Sequence, residues 1–496
     1  MLCKKLSSEG IVSAKLVELI EKHDVDGPYY TSYPTGKVWS NEFGVTEYKN
    51  ALVDMINCRE DVPITLYIHF PFCVRLCRFC FCYTKITKNR DKTNAFLQIL
   101  FREMTLLKEL FDQYHYKPNI REIHLGGGSP SYMTEEEFEQ LIANIKLLVD
   151  PCALDEFAIE IDAITVTQDK LKLYHQHGIT RISFGIQDFA PEVQEVIGRV
   201  QSPQLIEKFL VPEIRKLFNG VNFDLMYGLP LQTRASFKET VDTVLKLSPD
   251  RISLYNYFHM PELYKHQAKI KEADLPNIVE KTMIFVDATQ RFIENGYESI
   301  GIDHFAKSSD GLAIAKISRT LTRHFMGYTT GGAPNLIGLG PSSLGGFTGY
   351  YTQNVYSLEE YQSVLANNEF PILRGYQVSH DDIIRKDVIN NLLCYFDLDF
   401  KAIESKYQIK FNEYFSEELK SLDRFIADGI LTLSENSVCM TSTGQLFTRH
   451  VCALFDKYLV SSFNDRNSSD YVPVIQRSGT SDYVKYNSNY VPVTQR

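Results

Sequence analysis

Six short apolar runs that alternate with longer helical segments are the feature that most constrains how this chain folds. The runs are rich in β-branched and aromatic residues, which favour strands; they cover 64–70, 122–125, 157–161, 181–186, 223–227 and 252–257. Segments with the spacing of amphipathic helices lie between them, for example 95–111, 136–148, 205–217 and 233–247. Strands that alternate with helices are typical of βαβ units and a parallel sheet. Six such units fit an open barrel or a doubly wound sheet, and periodicity alone does not decide between them.

Each run leads into polar or glycine-rich residues. Examples are His69, the stretch from Gly126 to Ser129, Glu160 and Gln187. In barrel enzymes the active site lies on the face formed by the carboxyl ends of the strands. We therefore expect residues from several strands to meet at that face.

The composition is that of an ordinary globular protein with an acidic balance. Of 496 residues, 44% are hydrophobic and 23% are charged, and the formal net charge is −10. No basic stretch offsets that charge, so nucleic acid is not expected as a partner. No apolar run approaches the length of about eighteen residues that a membrane span needs, and the first ten residues lack the apolar core of a signal peptide. We expect a cytoplasmic, monomeric protein.

Changes in composition and in hydrophobic spacing along the sequence divide the chain into four parts. Residues 1–60 are expected to form a helical and loop extension, and residues 61–310 contain the alternating runs. Residues 311–460 begin with a loop rich in Gly and Thr and continue with helical spacing, which predicts a mostly helical domain. Residues 461–496 are polar and contain one pattern twice, starting at Tyr471 and Tyr490. This composition predicts a disordered tail.

Four of the ten cysteines fall within ten residues, directly after the first run. Cys73, Cys77 and Cys80 have the spacing CxxxCxxC, and Cys82 follows them. Thiolates bind zinc or iron–sulfur clusters, but a structural zinc site usually takes two ligand pairs separated by a dozen or more residues. Three thiols on one short loop favour a compact cluster, and three ligands on a [4Fe–4S] cube leave the fourth iron open for a small molecule. A zinc-stabilised barrel is the alternative.

The cysteine spacing after a barrel-type first strand, with Phe79 inside it, resembles the radical S-adenosylmethionine (SAM) superfamily. Within that superfamily, the chain from about residue 27 to residue 459 resembles the oxygen-independent coproporphyrinogen III oxidases. The segments that carry the resemblance are 67–82, 27–35, 126–131, 181–189, 224–233, 303–306 and 327–330. It implies an α/β fold, a partial (β/α)6 radical SAM barrel with an N-terminal extension and a mostly helical C-terminal domain.

The resemblance also implies roles for individual residues. Cys73, Cys77 and Cys80 are expected to bind a [4Fe–4S] cluster whose open iron chelates SAM, while the fourth cysteine of the group is not expected to be a ligand. Tyr67 and His69 are the expected catalytic residues. The residues expected to bind SAM, with a second SAM near the last two, are Tyr67, Phe79, Gly127, Gly128, Ser129, Glu160, Gln187, Arg199, Asp224, Phe258 and Leu344.

Oxidative decarboxylation of coproporphyrinogen III is the reaction that the resemblance implies. A 5′-deoxyadenosyl radical would remove a β-hydrogen from the ring A and ring B propionates, and loss of CO₂ and one electron would leave each vinyl group of protoporphyrinogen IX. An electron donor such as a flavodoxin or ferredoxin is expected as a partner, and the C-terminal domain is expected to cover the substrate. An acidic protein needs local cations for four propionates, and the candidates are Arg323, His324, Arg385 and Lys386.

Four positions depart from the usual pattern of this family. Phe81 stands where two cysteines usually enclose Gly, Ala163 replaces Pro, Phe258 replaces Ala and Met326 replaces Gln. The larger Phe258 side chain adds volume beside the expected second SAM site, where overpacking is costly. These changes leave two alternatives open. One is a radical SAM enzyme that acts on haem, such as a ring-opening methyltransferase, and the other is a haem chaperone built on the same barrel.

Overall fold

The six predicted strands are present and parallel in a computed structural model of the chain. The structure describes residues 14–23, 28–58, 62–347 and 349–459. In chain order, strands β1 to β6 are Ile64–Phe70, Ile120–Gly127, Glu156–Ile161, Arg181–Gln187, Gly220–Tyr227 and Arg251–Asn256. Each pairs in parallel with the next. The predicted α/β class with a parallel sheet is therefore confirmed.

Six further strands, which the apolar runs do not predict, extend this sheet on both sides. In chain order, β7 to β12 are Tyr297–Ile300, His304–Lys307, Asn335–Leu339, Leu344–Phe347, Tyr350–Asn354 and Ile372–Gln377. The order across the sheet is β12-β11-β10-β9-β1-β2-β3-β4-β5-β6-β8-β7. Strand β9 lies parallel to β1, with Ile64 opposite Asn335, and the other added strands are antiparallel to their neighbours. One edge of β1 is thus covered by residues from far along the chain.

Helices fill the connections between the parallel strands and continue beyond them. In chain order, α1 to α18 are Ala14–Lys22, Val45–Asn57, Arg90–Gln113, Glu135–Ile145, Gln168–Gln176, Pro191–Ile197, Pro203–Glu207, Pro212–Arg215, Arg234–Leu247, Ile278–Glu294, Gly311–Ser318, Leu358–Ala366, His380–Tyr395, Phe400–Tyr407, Phe411–Tyr414, Ser416–Ser421, Asp423–Ala427 and Thr448–Leu454. The single helix predicted over 205–217 is instead two short helices, α7 and α8. Pro212 lacks an N–H donor and disfavours helical backbone at the residue before it. None of these described helices combines the length and apolar character that crossing a membrane requires.

The two faces of the parallel strands have different surroundings. Successive residues of a strand point to opposite faces. On β1, Leu66 and Ile68 pack in the main apolar core, while Tyr67 and His69 line a cavity on the other side. All six parallel strands contribute inward-facing residues to that same cavity. The sheet therefore curves around it as a partial barrel.

The region after residue 378 forms a helical unit with an apolar core of its own. Val388 and Leu392 of α13 belong to this core, and Leu16 and Leu19 of α1 pack into it from the N-terminal side. Strands β9 to β12 belong to the central sheet, so the sheet crosses the division that the sequence analysis places at residue 310. The repeat-containing tail lies outside the described residues.

Candidate active site

The predicted cluster ligands lie on a loop that is tied at both ends. Cys73 ends a two-residue strand that pairs with Lys85–Ile86. Within the loop, the amide of Cys80 donates to the carbonyl of Cys77, and the amide of Cys82 donates to the sulfur of Cys80 at 3.4 Å. The hydrogen bond with the Cys82 side chain, together with burial, raises the pKa of the Cys80 thiol. The sulfurs are thus close enough to influence one another.

The three predicted ligands share one cavity, which we call the cysteine cavity, with polar residues from the neighbouring strands. Cys73, Cys77 and Cys80 line it from the loop. The residues that line it from the carboxyl ends of β2 to β5 and the turns after them include Gly128, Ser129, Glu160, Asp162, Gln187, Arg199 and Asp224. Within the described part of the chain, no three His, Cys, Asp or Glu side chains meet at a point that could hold a single metal ion.

Arg199 links the cysteine loop to the end of β3. Its Nη1 lies 3.6 Å from the Cys77 sulfur and 3.4 Å from Asp162 Oδ2, and its Nε donates to the carbonyl of Gly185 at 2.8 Å. Burial lowers the pKa of Arg199, but the Asp162 carboxylate and the Cys77 sulfur outweigh burial and raise it above the ordinary value. The guanidinium therefore stays charged where it contacts Cys77 and Asp162.

Two glycines at the end of β2, Gly127 and Gly128, allow the strand end to pack against the cysteine loop. Gly127 has a φ of 110°, a conformation that strains any other residue, and a Cβ there would lie 2.7 Å from the His69 ring. A Cβ on Gly128 would lie 2.8 Å from the carbonyl oxygen of Phe72. The amide of Ser129 donates to this same oxygen at 3.0 Å. The packing of the cysteine loop therefore requires that neither position carries a side chain.

Tyr67 and His69, on the inner face of β1, form one hydrogen-bonded unit. His69 Nε2 lies 3.0 Å from the carbonyl oxygen of Tyr83, so this nitrogen carries the proton, and Nδ1 accepts from the Tyr67 hydroxyl at 3.1 Å. The Tyr67 ring stacks on His124, whose Nε2 lies 3.2 Å from Glu160 Oε1. The aromatic wall of the barrel therefore also orients the Glu160 carboxyl.

The interior of the barrel is a second cavity, the barrel cavity, of about 390 Å³. Glu160, Ser183 and Asp224 line both cavities, so the two are adjacent. Asp224 accepts hydrogen bonds from Ser183 and Asn222, each at 3.0 Å, and burial raises its pKa. A volume of this size is within the range of small-molecule sites.

The three remaining predicted cofactor residues, Phe79, Leu344 and Phe258, do not lie in the same cavity. Phe79 lines the cysteine cavity and Leu344 lines the barrel cavity. Phe258 lines neither: its ring meets Tyr29 edge-on with centroids 5.5 Å apart, and Lys281 Nζ lies 5.5 Å from its centroid. The structure therefore does not bring Phe258 to the remaining predicted site residues.

Three of the four candidate propionate cations have other roles in the structure. Arg323 is buried and makes two hydrogen bonds of 3.0 Å to Asp303. Arg385 pairs with two carboxylates of the helical unit, at 2.8 and 3.0 Å. Burial lowers the pKa of His324 to about 3, which keeps the ring neutral. Lys386 is exposed on α13, and its Nζ lies 5.2 Å from the centroid of the Tyr351 ring.

A buried carboxyl behind the barrel holds the turn that follows β9. Glu103, on α3, accepts hydrogen bonds from the amide of Gly340 at 2.7 Å, the side-chain amide of Asn354 at 2.7 Å and the hydroxyl of Tyr361 at 2.5 Å. Burial raises the pKa of Glu103 to about 7, although all three donors oppose this shift. The turn leads into Leu344, so Glu103 supports one wall of the barrel cavity from outside.

Sequence reasoning missed several polar residues of the site. Asp162 follows β3 directly and meets Arg199, while His124, Ser183 and Asn222 lie on the inner faces of their strands. Their signal is the alternation of polar and apolar residues, because alternate positions of a strand share a face. A single polar residue inside an apolar run does not reveal which neighbour it meets.

Comparison with known proteins agrees with this geometry. Residues 67–244 match the radical SAM superfamily, and residues 378–447 match the HemN C-terminal domain. The oxygen-independent coproporphyrinogen III oxidase of Pseudomonas aeruginosa is 37% identical over 91% of this chain and 97% of its own length. The chain belongs to this family. Oxygen-independent coproporphyrinogen III oxidases of Escherichia coli and Synechocystis are 36% and 37% identical, each over 89% of this chain and 95% of the relative.

A solved structure of this oxidase family has the same fold. It is described as coproporphyrinogen III oxidase (HemN) from Escherichia coli, a radical SAM enzyme, and it matches with a TM-score of 0.81 at 36% identity. The match covers 88% of this chain and all of that one. The predicted radical SAM barrel with a helical C-terminal region is therefore confirmed.

The donor set of the cysteine cavity fits the two cofactors of a radical SAM oxidase, a [4Fe–4S] cluster and SAM. Three thiols line the cavity, and thiolates are the usual protein ligands of such clusters. Carboxylates of Glu160 and Asp224 lie beside them and suit the ammonium group and the hydroxyls of SAM. The Arg199 guanidinium suits a carboxylate. These are the residues that would hold the two groups.

Proposed function

We propose that this chain catalyses the oxidative decarboxylation of the ring A and ring B propionates of coproporphyrinogen III, which gives protoporphyrinogen IX. Each propionate loses one hydrogen atom to the 5′-deoxyadenosyl radical, then CO₂ and one electron, which passes to an external electron acceptor, and becomes a vinyl group. The observation that carries the proposal is the match to oxidases of this name along nine-tenths of the chain. It favours this reaction over a haem-acting methyltransferase and a haem chaperone.

The residues of the cysteine cavity are placed to prepare the reactants. When bound, the cluster and SAM supply the 5′-deoxyadenosyl radical that removes the hydrogen atom. Arg199 holds a positive charge beside Cys77, and its contacts with Cys77, Asp162 and Gly185 fix this part of the cysteine loop against β3 and β4. Glu160, oriented by His124, offers a carboxylate to a cationic group. Asp224 holds hydrogen-bonding oxygens where the two cavities meet.

The barrel cavity supplies the surroundings of the reacting propionate. Phe325, Met326 and Leu344 give it an apolar wall, and excluding water protects a reactive radical from side reactions. Tyr67 and His69 lie on β1, where Tyr67 packs against this apolar cluster and the hydrogen bond between the two side chains fixes both rings. We assign these two residues to positioning the substrate and SAM against each other.

We also propose that a flavodoxin or ferredoxin supplies the electron and that the chain works as a monomer in the cytoplasm. The described cysteines are thiols rather than disulfides, which supports a reducing compartment. Size-exclusion chromatography and reduction of the cluster by purified flavodoxin test the two partner statements directly.

Anaerobic reconstitution tests the proposed reaction. The chain is loaded with iron and sulfide and incubated with SAM, a reductant and coproporphyrinogen III, and mass spectrometry follows 5′-deoxyadenosine and the porphyrin products together. We expect two losses of CO₂ in the wild type, none in Cys77→Ser, and normal turnover in Cys152→Ser, because Cys152 is exposed and remote from the loop. Deoxyadenosine without decarboxylation would overturn the substrate assignment, and a loaded cluster that forms no deoxyadenosine would favour the chaperone.

A further inference from the structure

The segment after β6 holds the part of the cysteine loop around the third predicted ligand. Gln267 is fully buried, its Nε2 donates to the carbonyl of Phe79 at 3.4 Å, and its Oε1 accepts from the amide of Met260 at 2.7 Å. His266 Nε2 donates to the carbonyl of Cys80 at 2.8 Å. Two successive carbonyls of the loop therefore face residues 260–270.

The side chain next along the loop meets the same segment. Cys80 lines the cysteine cavity and Cys82 lines the barrel cavity, whereas Phe81 between them lines neither. Its ring instead meets the Tyr264 ring edge-on, with centroids 4.8 Å apart and an angle of 89° between the ring planes. Edge-to-face contact is one of the favourable geometries for two aromatic rings.

Phe81 also restricts the turn between the two cysteines. A Gly at this position would have far more backbone freedom than Phe. The backbone of Phe81 lies outside the left-handed region, so the bulky residue fits without strain. The turn places the Cys82 amide 3.4 Å from the Cys80 sulfur, and hydrogen bonds to ligand sulfurs influence the properties of iron–sulfur clusters.

We propose that Phe81 and residues 260–270 form an aromatic cover over the third cluster ligand, which limits the access of water and small solutes to the cluster. The cover rests on the proposed function in one respect, because it requires that Cys80 binds a [4Fe–4S] cluster. Phe81 and Tyr264 are positioning residues here, because their rings contact each other and hold the cysteine loop without touching the reacting atoms. Separation of their rings is the step that opens the cover.

Loss of the cluster to a chelator measures this opening. The reconstituted full chain is mixed with EDTA under anaerobic conditions, and the visible absorbance of the cluster is followed with time. We expect Phe81→Gly and Tyr264→Ala to lose the cluster about tenfold faster than the wild type, a factor that corresponds to about 1.4 kcal/mol and is of the order that an edge-to-face ring pair contributes. Phe81→Tyr keeps the ring and should behave as the wild type.

The double variant Phe81→Gly/Tyr264→Ala gives a stricter test. Because either single change already removes the ring pair, the double variant should lose its cluster no faster than the singles. Tyr114→Ala is the matched control, since Tyr114 is an exposed tyrosine at the end of α3, and it should show the wild-type rate. If Phe81→Gly does not fold, as thermal melting will show, the comparison of Tyr264→Ala with Tyr114→Ala decides.

The outcomes separate the cover from the proposed function. Equal rates of cluster loss in the wild type and Tyr264→Ala, or single effects that multiply in the double variant, overturn the cover and leave the proposed function intact. A wild-type chain that holds no cluster after reconstitution overturns both.

Discussion

The buried carboxyl of Glu103 allows the most quantitative prediction. It lies against three hydrogen-bond donors, and its pKa is about 7, compared with 4.5 in water. Glu103→Gln keeps the size of the side chain and one acceptor oxygen but cannot ionise. Because both Glu103 oxygens accept hydrogen bonds, the variant loses one acceptor at every pH, and only the pH-dependent part of its change in unfolding free energy reports the cost of ionising the carboxyl.

The magnitude and its sign follow from the two pKa values. Each pKa unit corresponds to about 1.4 kcal/mol, so a rise from 4.5 to about 7 makes the folded state less stable by about 3 kcal/mol once Glu103 is ionised. The folded state holds this proton more tightly than the unfolded chain. The contribution of Glu103 to the free energy of unfolding therefore falls as the pH rises from about 4.5 to about 7. As the pH rises from about 5 to about 8, the free energy of unfolding of Glu103→Gln should increase by about 2 to 3 kcal/mol relative to that of the wild type.

The single tryptophan provides a local probe for this measurement. Trp39 stacks on Tyr351 with ring centroids 5.4 Å apart, in an apolar cluster that also contains Leu344. Urea unfolding of the cofactor-free chain, followed by tryptophan fluorescence at several pH values, gives the free energy of unfolding of both forms. Glu360→Gln, at an exposed position of α12, should keep the wild-type pH dependence. Parallel curves for Glu103→Gln and the wild type at every pH would refute the reasoning.

Three further predictions concern the site and its support. Cys82→Ser should leave the iron and sulfide content of the reconstituted chain unchanged, because Cys82 lines the barrel cavity rather than the cysteine cavity; a fall in either content would contradict this. Gly127→Ala should lower the free energy of unfolding by at least about 1–2 kcal/mol in urea titrations, since its φ is 110° and left-handed backbone penalises a side chain. Arg323→Met should cost about 3–5 kcal/mol because it leaves the buried Asp303 carboxylate without its main partner. Adding Asp303→Asn should recover part of that loss, and a double variant as unstable as the single would contradict the ion-pair argument.

The parallel strands were predictable because each carries its own local signal. The runs that become β1 to β6 contain β-branched and aromatic residues that are buried against helices, whatever strand lies beside them. Strands β9 and β10 lack this signal. Asn335, Gly338, Gly345 and Gly346 weaken their strand propensity, so pairing with β1 and with each other determines their conformation.

The candidate site shows the same difference: residues with a local sequence signal could be predicted, and residues whose contacts depend on distant parts of the chain could not. The cysteine spacing lies within ten residues, and Glu160 and Gln187 follow directly from the ends of their strands, so sequence reasoning finds them. Arg323 looks like a free cation in the sequence, since only the folded chain brings Asp303 against it. Phe258 is a similar case, because the backbone after β6 directs its ring to Tyr29 rather than into either cavity.

The pairing of β1 with β9 also sets an order of events during synthesis. A chain made from its N-terminus exposes the cysteine loop long before β9 has been translated, and until then one edge of β1 presents unpaired backbone groups. Exposed strand edges promote association between nascent chains, and here that edge immediately precedes the cysteines. Acquisition of a stable iron–sulfur centre is therefore expected only after β9 has been made and has paired with β1.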